Sequence, residues 1–170
     1  MAKNLAYLPA VSPSADGSET DSYYYVYGYE DSNLSAARET TNYGTYGVLY
    51  NWPAAMTACP LGWHLPGDTE WTTLTDFLGS GAGGLMKEAG TAHWSNPNFG
   101  ASNNSGFTAL PGGLCANGGG FGGLGESARF WSSAVDGLLA WYWHLNNSSD
   151  NVGGLIVHRS ISFSVRCLKD

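Results

Sequence analysis

Helical spacing of hydrophobic positions is clearest in the segment "HLPGDTEWTTLTDFLG", residues 64–79. Apolar side chains recur there at helical intervals and form a predicted buried stripe of Trp71, Leu74, Phe77 and Leu78. Gly67 stands at the N-cap position with Glu70 at the capping-box position, and Gly79 ends the pattern. The spacing therefore predicts a helix between Gly67 and Gly79.

A second, shorter helix is indicated by "VLYNWPAAMTAC", residues 48–59. Pro53 suits the first turn of a helix, because the N–H that proline lacks has no helical partner there. Helical spacing places four side chains on one face: Trp52, Ala55, Met56 and Cys59. Pro60 stops the pattern, so the predicted helix is short.

The remaining chain contains short β-prone runs separated by loops, which are glycine-rich from Ser80 onward. They are residues 23–29, 106–113, 129–133, 140–145 and 163–168. Two short helices followed by a loop-rich, mostly antiparallel half predict a single α+β domain over residues 1–170. The polar segment 10–20 is expected to be a mobile loop.

One segment near the C-terminus, "NVGGLIVHRSIS" at residues 151–162, follows neither period. Gly153 and Gly154 precede three consecutive apolar residues, and a polar trio comes next. This pattern indicates neither a helix nor a regular strand. The segment is therefore predicted to be irregular, although the runs on either side of it look ordered.

Composition changes this picture in two ways. Charged residues are only 12% of the chain, whereas glycine (24), tyrosine (10) and tryptophan (7) are abundant, which favours a loop-rich fold with aromatic anchors. The net charge of −7 argues against a nucleic-acid surface and against a basic membrane patch. Because no long apolar run occurs, no direct membrane span is expected either.

Three cysteines, Cys59, Cys115 and Cys167, are widely spaced and form no CxxC pair. This spacing argues against structural zinc and against thioredoxin-type redox chemistry. One disulfide with one free thiol would suit an exported protein, and three buried thiols would suit a cytosolic one. No apolar signal segment follows Met1, so the chain is either cytosolic or a part of a longer exported protein.

Candidate catalytic groups are dispersed. His64 is expected to buttress the start of the predicted helix, and His93 is expected to be a loop residue. Asp136 and Asp150 have no fixed separation that would make them a carboxylate pair. The oxygen-rich segments 94–98 and 146–151 match no lectin calcium signature. We therefore expect no enzyme, no cofactor and no metal.

The order of motifs carries a family resemblance. "YGVLYNWPAAMTACPLGWHLPGDTEW", "GFTALPGG", "FWSS" and "FSVRCLKD" together resemble the Fibrobacter succinogenes major paralogous domain family. The resemblance implies a C-type-lectin-like fold akin to formylglycine-generating-enzyme domains, although the paired active-site cysteines of those enzymes are not reproduced. Because the chain ends meet in such folds, Cys59 and Cys167 are expected to be neighbours and Cys115 to stay unpaired. Arg166 is expected to hydrogen-bond loop carbonyls.

The tail from Phe130 onward resembles the variable region of a diversity-generating retroelement target protein. In such systems a template copied with errors at adenines turns AAY codons into many residue types, but never into Trp, Met, Lys, Gln or Glu. Residues 132–162 contain no Lys, Met, Gln or Glu. The positions that AAY codons reach are Val135, Asp136, Gly137, Leu138, Leu139, Tyr142, His144, Gly153, Gly154, Leu155, Ile156, Val157, His158, Ser160, Ile161 and Ser162.

This second resemblance implies a hypervariable binding protein of the receptor or adhesin type. The variable side chains are expected to meet on one exposed face and to bind a protein or a glycan. The core is expected to contain Trp63, Trp71, Trp131 and Phe163. The protein is expected to be a monomer, extracellular or at the cell surface. The alternatives are a non-diversified structural domain of the cell surface and a carbohydrate-binding lectin.

Overall fold

Short helices and strands alternate along residues 3–170, which a computed structural model describes. Met1 and Ala2, the first residues of the stretch predicted to hold no signal segment, lie outside the described residues. The helices are α1 Leu34–Arg38, α2 Thr41–Tyr46, α3 Trp52–Ala58, α4 Asp68–Leu78 and α5 Ala82–Met86. The strands are β1 Tyr24–Tyr25, β2 Leu49–Asn51, β3 Trp63–His64, β4 Gly112–Cys115, β5 Phe121–Leu124, β6 Ser127–Asp136, β7 Leu139–Asn146, β8 Val152–His158, β9 Ser162–Phe163 and β10 Leu168–Lys169.

Three antiparallel sheets organise these strands. The largest has the order β1-β2-β9-β4-β5, the smallest pairs β10 with β3, and the third is a meander of β6, β7 and β8. A bridge from Phe130 to Ser164 links the meander to the segment that follows β9. The mixed helix and antiparallel-sheet architecture agrees with the predicted α+β class.

Residues 3–170 contain five helices where the sequence predicts two. The α1 and α2 segments are polar, and their starts are fixed by the side chains of Asn33 and Thr40, which accept backbone N–H bonds at the helix N-caps. The α5 segment contains Gly83 and Gly84, which lie so close to the main chain of residues 100 and 150–151 that a Cβ atom would collide with it. Packing therefore overrides the weak helix propensity of glycine in α5.

The main core forms around Trp131, which is fully buried on β6. The Trp131 Nε1–H donates to the Tyr50 carbonyl at 2.7 Å, and the indole lies 4.6 Å from the Phe163 ring between centroids. These contacts join β6 to β2 and β9 of the large sheet. Trp131 and Phe163 are core residues as predicted, whereas Trp63 is only half-buried because it lies on the small β3–β10 pair.

A second core joins α4 to the meander. The Trp71 ring stacks on Phe130 and on Trp143, with centroid distances of 5.8 and 5.9 Å. Trp143 also donates its Nε1–H to the Asp68 carboxylate at the start of α4. The prediction that Phe77 belongs to the buried stripe is wrong, since this side chain is 86% exposed. Leu74 and Leu78 also pack against this core, whereas Phe77 lies to the side of the helix face that they form with Trp71.

The chain end is fastened to α3 by a disulfide between Cys59 and Cys167, which confirms that these two cysteines are neighbours. The Leu5 N–H donates to the Val165 carbonyl, so the N-terminal segment also meets the end of the chain. Cys115 is buried and carries a free thiol, as predicted. Burial raises the pKa of the Cys115 thiol to about 12, and the group is therefore unreactive at neutral pH.

Two buried cations hold loops through their carbonyl oxygens. The Arg166 Nη1 and Nη2 atoms donate to the carbonyls of Phe107 and Thr108 at 2.8 and 2.9 Å, which confirms the predicted role of Arg166. Lys87 is fully buried, and no pattern in the sequence indicates its role. Its Nζ donates to three carbonyl oxygens, those of Phe99, Asn146 and Ser149. Lys87 thereby positions the loop that enters β8.

The predicted loop at residues 10–20 is partly anchored. Val11 and Ser14 are buried, and the Ser14 hydroxyl donates to the Glu30 carboxylate at 2.7 Å. Farther along, Glu19 lies 2.9 Å from His158 at the end of β8. Mobility of the loop stays a prediction, and its contacts bring it to the C-terminal meander.

Candidate functional site

The segment predicted to be irregular is a regular strand. Each residue of β8, from Val152 to His158, pairs in register with a residue of β7, from Leu145 to Leu139. The prediction of irregular structure for residues 151–162 is therefore wrong over most of that range. The sequence lacked alternation because β8 lies at the edge of the meander, where neither of its faces is consistently buried.

The variable-type positions lie on both faces of the meander. Directly paired residues of antiparallel strands share a face, and successive residues alternate. Tyr142 therefore shares one face with Leu155, whereas Trp141 shares the opposite face with Ile156. The prediction that all these side chains meet on a single face is wrong. They are distributed around the β6–β7 turn and along β7 and β8.

Seven exposed residues around the β6–β7 turn and along β8 form what we call the tip-and-edge surface. They are Val135 and Asp136 at the end of β6, Gly137 and Leu138 in the β6–β7 turn, and Gly153, Leu155 and Ile156 on β8. The exposed fractions of the large apolar members are 50% for Val135, 78% for Leu138, 50% for Leu155 and 40% for Ile156. Exposed apolar side chains gathered in this way are typical of a contact surface.

The turn and the edge strand are tied together by Arg159. Its Nη2 donates to the Gly137 carbonyl at 2.9 Å, and its guanidinium lies over the Trp52 ring at 4.7 Å. His158 next to it bonds the Ser160 hydroxyl and the Glu19 carboxylate. These contacts hold the end of β8 against the turn.

Several predicted site residues belong to the fold instead of the surface. Ser160 and Ser162 are buried. Tyr142 is half-buried, and its ring lies 4.5 Å from the Phe163 ring. Val157 and Ile161 pack against the main core, and Leu139 is half-buried at the start of β7. Composition could not separate these positions from exposed ones, because the same residue types occur on both.

His144 lies on the same face as Leu155 and pairs with Arg129 across the strands. Burial and the neighbouring Arg129 charge lower the pKa of His144, so the imidazole is neutral at pH 7. It lines a shallow depression of about 260 Å³ together with Gly153 and Leu155. This face of the edge therefore offers a neutral, mostly apolar contact surface to a partner.

The two glycines of β8 have opposite surroundings. A Cβ atom at Gly154 would meet the Trp141 ring at 3.3 Å and the Trp143 ring at 3.5 Å, whereas a Cβ atom at Gly153 would meet nothing within 4 Å. A side chain can therefore vary freely at position 153. Position 154 is restricted to small residues by the two tryptophans beneath it.

A separate cleft of about 500 Å³ lies near the start of the chain, away from the meander. Its walls include Tyr43, Glu88 and His93, and the His93 Nδ1 lies 2.9 Å from both Glu88 carboxylate oxygens. Sequence reasoning treated His93 as an ordinary loop residue. The five-residue separation of Glu88 and His93 in an irregular loop gave no signal that the two would pair.

His64 bonds two carboxylates, Asp170 through Nδ1 at 2.6 Å and Glu70 through Nε2 at 2.9 Å. The hydrogen bonds to Asp170 and Glu70 raise the pKa of His64. Glu70 also accepts the Gly67 N–H in the first turn of α4. The geometry agrees with the predicted role of His64 in supporting the start of this helix.

Over residues 3–170, no three His, Cys, Asp or Glu side chains come together as a possible metal site. Across the same residues, no helix is long and apolar enough to cross a membrane.

Comparison with known proteins places the chain in a family. The model of the Fibrobacter succinogenes major domain matches residues 1–169. No curated protein and no solved structure matches the chain. Because the family match spans almost every residue, the protein belongs to the Fibrobacter succinogenes major domain family.

Proposed function

We propose that the protein is a hypervariable ligand-binding module of the receptor or adhesin type. Its tip-and-edge surface carries side chains that a diversity-generating retroelement samples, and it binds a macromolecule outside the cell or at its surface. The scaffold is a C-type-lectin-like fold, as the family resemblance implies. The proposal involves no catalytic step.

One observation carries this proposal: Val135 and Leu138 beside the β6–β7 turn and Leu155 and Ile156 on the edge strand β8 are all at least 40% exposed. Exposed apolar side chains gain free energy by being buried against a partner. Each of these residues is also one that an AAY codon reaches by mutation at adenine. Exposure and mutational access therefore coincide at the same positions.

The scaffold supports the same division. Trp141 and Trp143 are residues that an AAY codon cannot produce, and they lie on the sheet face opposite Leu155. Trp143 is buried against Trp71 of α4, and the Trp141 ring contacts Gly154. The residues excluded from sampling are thus the ones that support the sheet. Sampling and packing conflict at the buried Ser160 and Ser162, and at the core-packed Tyr142, Val157 and Ile161.

The experiment that tests the proposal compares copies of this gene from sibling isolates. We expect substitutions to concentrate at the tip-and-edge residues, with Gly153 more variable than Gly154, and to spare Trp131, Trp141 and Trp143. A reverse-transcriptase gene is expected nearby. Substitutions scattered evenly over the loops at 100–106 and 116–120 would contradict the proposal.

A second candidate function, carbohydrate binding, is favoured by the cleft that contains Glu88 and His93. Its polar side chains lie beside the Tyr43 ring, and this combination of polar groups with an aromatic ring is common in small-molecule sites. Titration of the protein with a panel of neutral oligosaccharides tests it. Binding that Glu88→Gln weakens and Leu155→Asn leaves unchanged would favour this candidate over the first.

A further inference from the structure

The outer edge of β8 has unpaired main-chain groups. The strand is the last in the order β6-β7-β8, so every second residue of Val152–His158 directs its N–H and C=O away from β7. Among residues 3–170, no backbone partner outside the meander bonds residues 152–157. This edge therefore presents a row of alternating donors and acceptors to solvent.

The edge lacks the features by which proteins usually protect such strands. Val152–His158 contains no Lys, no Pro and no acidic residue, and its register with β7 is free of bulges. Leu155 and Ile156 in its middle are exposed. Gly153 has open space around its Cα. A further strand can therefore approach along the middle of β8, from Gly153 to Ile156.

The edge is also the one place where side chains of both faces are within reach of a single partner. Leu155 and Ile156 point to opposite faces of the meander, so a ligand lying on one face contacts only one of them. A strand added alongside β8 has side chains that alternate in the same way. Its residues would flank Leu155 on one face and Ile156 on the other.

We propose that the ligand is an extended polypeptide segment that pairs with β8 as a fourth strand of the meander. This inference rests on the proposed binding function and names the class of partner. The main-chain bonds supply affinity that does not depend on the variable side chains, and those side chains supply selectivity. The segment is apolar in its centre, because it meets the exposed Leu155 and Ile156 there. It is free of acidic residues, because the protein carries a net charge of −7.

A second copy of the chain fits this edge poorly. The seven-residue strand is roughly 23 Å long and roughly 10 Å deep, so an edge-to-edge pair buries roughly 230 Å² per partner, against roughly 800 Å² in a stable interface between folded proteins. Two copies, each with a net charge of −7, also repel each other. An extended peptide meets these difficulties less, because its side chains also pack on Leu155 at one face and on Ile156 at the other, and its charge is free to differ.

The experiment uses a phage library of random octapeptides, selected on the immobilised full chain. Enriched peptides are resynthesised with a single N-methyl group at each position in turn. We expect N-methylation at alternate residues to weaken binding about tenfold, because each lost main-chain bond is worth about that factor. N-methylation at the residues between them is expected to change affinity by less than about twofold, since those N–H groups point to solvent.

The protein side is tested by Leu155→Asp, with Phe77→Asp as the matched control. Both leucine and phenylalanine are exposed, and Phe77 lies on α4 outside the proposed site. We expect Leu155→Asp to weaken peptide binding and Phe77→Asp to leave it unchanged. Amide hydrogen exchange is expected to show new protection at alternate residues of β8 when peptide binds.

Three results would overturn the inference. They are the absence of any enriched peptide, N-methyl effects without an alternating pattern, and a dimer in solution that Leu155→Asp dissociates. The gene comparison under the proposed function is independent of all three. Variable gene copies without peptide binding would contradict only the inference that a peptide pairs with β8. Invariant gene copies with peptide binding would contradict only the proposal that the surface is diversified.

Discussion

The central and outer strands of the meander are both rich in apolar residues, yet their burial is opposite. In β7, Ala140, Trp143 and Leu145 are buried, because Trp71 covers one face and the main core covers the other. In β8, no residue is buried, although Leu155, Ile156 and Val157 follow one another. Position in the sheet therefore decides burial here, and the apolar character of β8 is available for contact with a partner.

The largest expected effect is at the centre of the buried region. Trp131→Ala removes an indole that fills the core and donates to the Tyr50 carbonyl, so we expect the free energy of unfolding to fall by about 3–5 kcal/mol. Leu155→Ala is the matched change on β8 and is expected to stay within about 0.5 kcal/mol of the original protein. Urea denaturation of the two variants checks the contrast, and equal losses would contradict it.

The second effect concerns the disulfide that fastens the chain end. Replacing Cys59 and Cys167 together by serine opens a link between residues 108 apart in sequence, and we expect a loss of about 2–4 kcal/mol. The control is reduction of the unaltered protein with dithiothreitol, which should lower the thermal midpoint as much as the double substitution does. A midpoint that does not change on reduction would show that the link contributes nothing to stability.

A smaller effect separates the two glycines of β8. Gly154→Val forces a branched side chain against the Trp141 and Trp143 rings, and we expect it to cost about 1–3 kcal/mol. Gly153→Val meets open space and is expected to cost less than about 0.5 kcal/mol. Thermal denaturation of the pair is the measurement. A larger loss at position 153 than at position 154 would overturn the assignment of faces.

The smallest effect is a pH dependence at the start of α4. The pKa of His64 is raised by Asp170 and Glu70, so its stabilising contribution is complete below about 6.5, the ordinary pKa of histidine, and is lost as the pH rises through the raised value. Although burial alone would raise it, the pKa of Glu70 is lowered overall by the Gly67 N–H and by His64. The Glu70 contribution is therefore lost only in acid.

The measurement is the thermal midpoint between pH 6 and pH 9 for the original protein and for His64→Gln. We expect a decline with rising pH that the variant lacks. An identical decline in both proteins would assign the effect to another group.

Much of the scaffold is visible in the sequence where a local rule and the packing agree. The Gly67 cap, Glu70 and Gly79 fix the bounds of α4, and Arg166 and the two bridged cysteines lie in the motifs that carry the family resemblance. Phe77 shows the limit of periodicity, because helical spacing does not reveal how wide the buried face of the helix is.

The site is only partly visible for a related reason. The residue types that AAY codons reach mark out residues 135–161 as a group, but they do not reveal which of these residues are buried. The group therefore includes Ser160 and Tyr142 along with Leu155. Residues 152–158 form a strand because they pair with β7. Since β8 is exposed on both faces, this pairing does not require alternating apolar and polar residues, and the sequence shows no such alternation. The role of Lys87 likewise depends on carbonyls contributed by distant loops.

The central claim is that folding does not depend on the identity of the tip-and-edge side chains, and two matched libraries test it directly. One randomises AAY codons at six exposed positions: Val135, Asp136, Leu138, Gly153, Leu155 and Ile156. The other does so at six positions of the large sheet: Tyr25, Leu49, Tyr50, Leu114, Cys115 and Phe163. The measurement is the fraction of each displayed library that resists protease. The account predicts that most members of the first library stay folded and that few of the second do; equal fractions would contradict it.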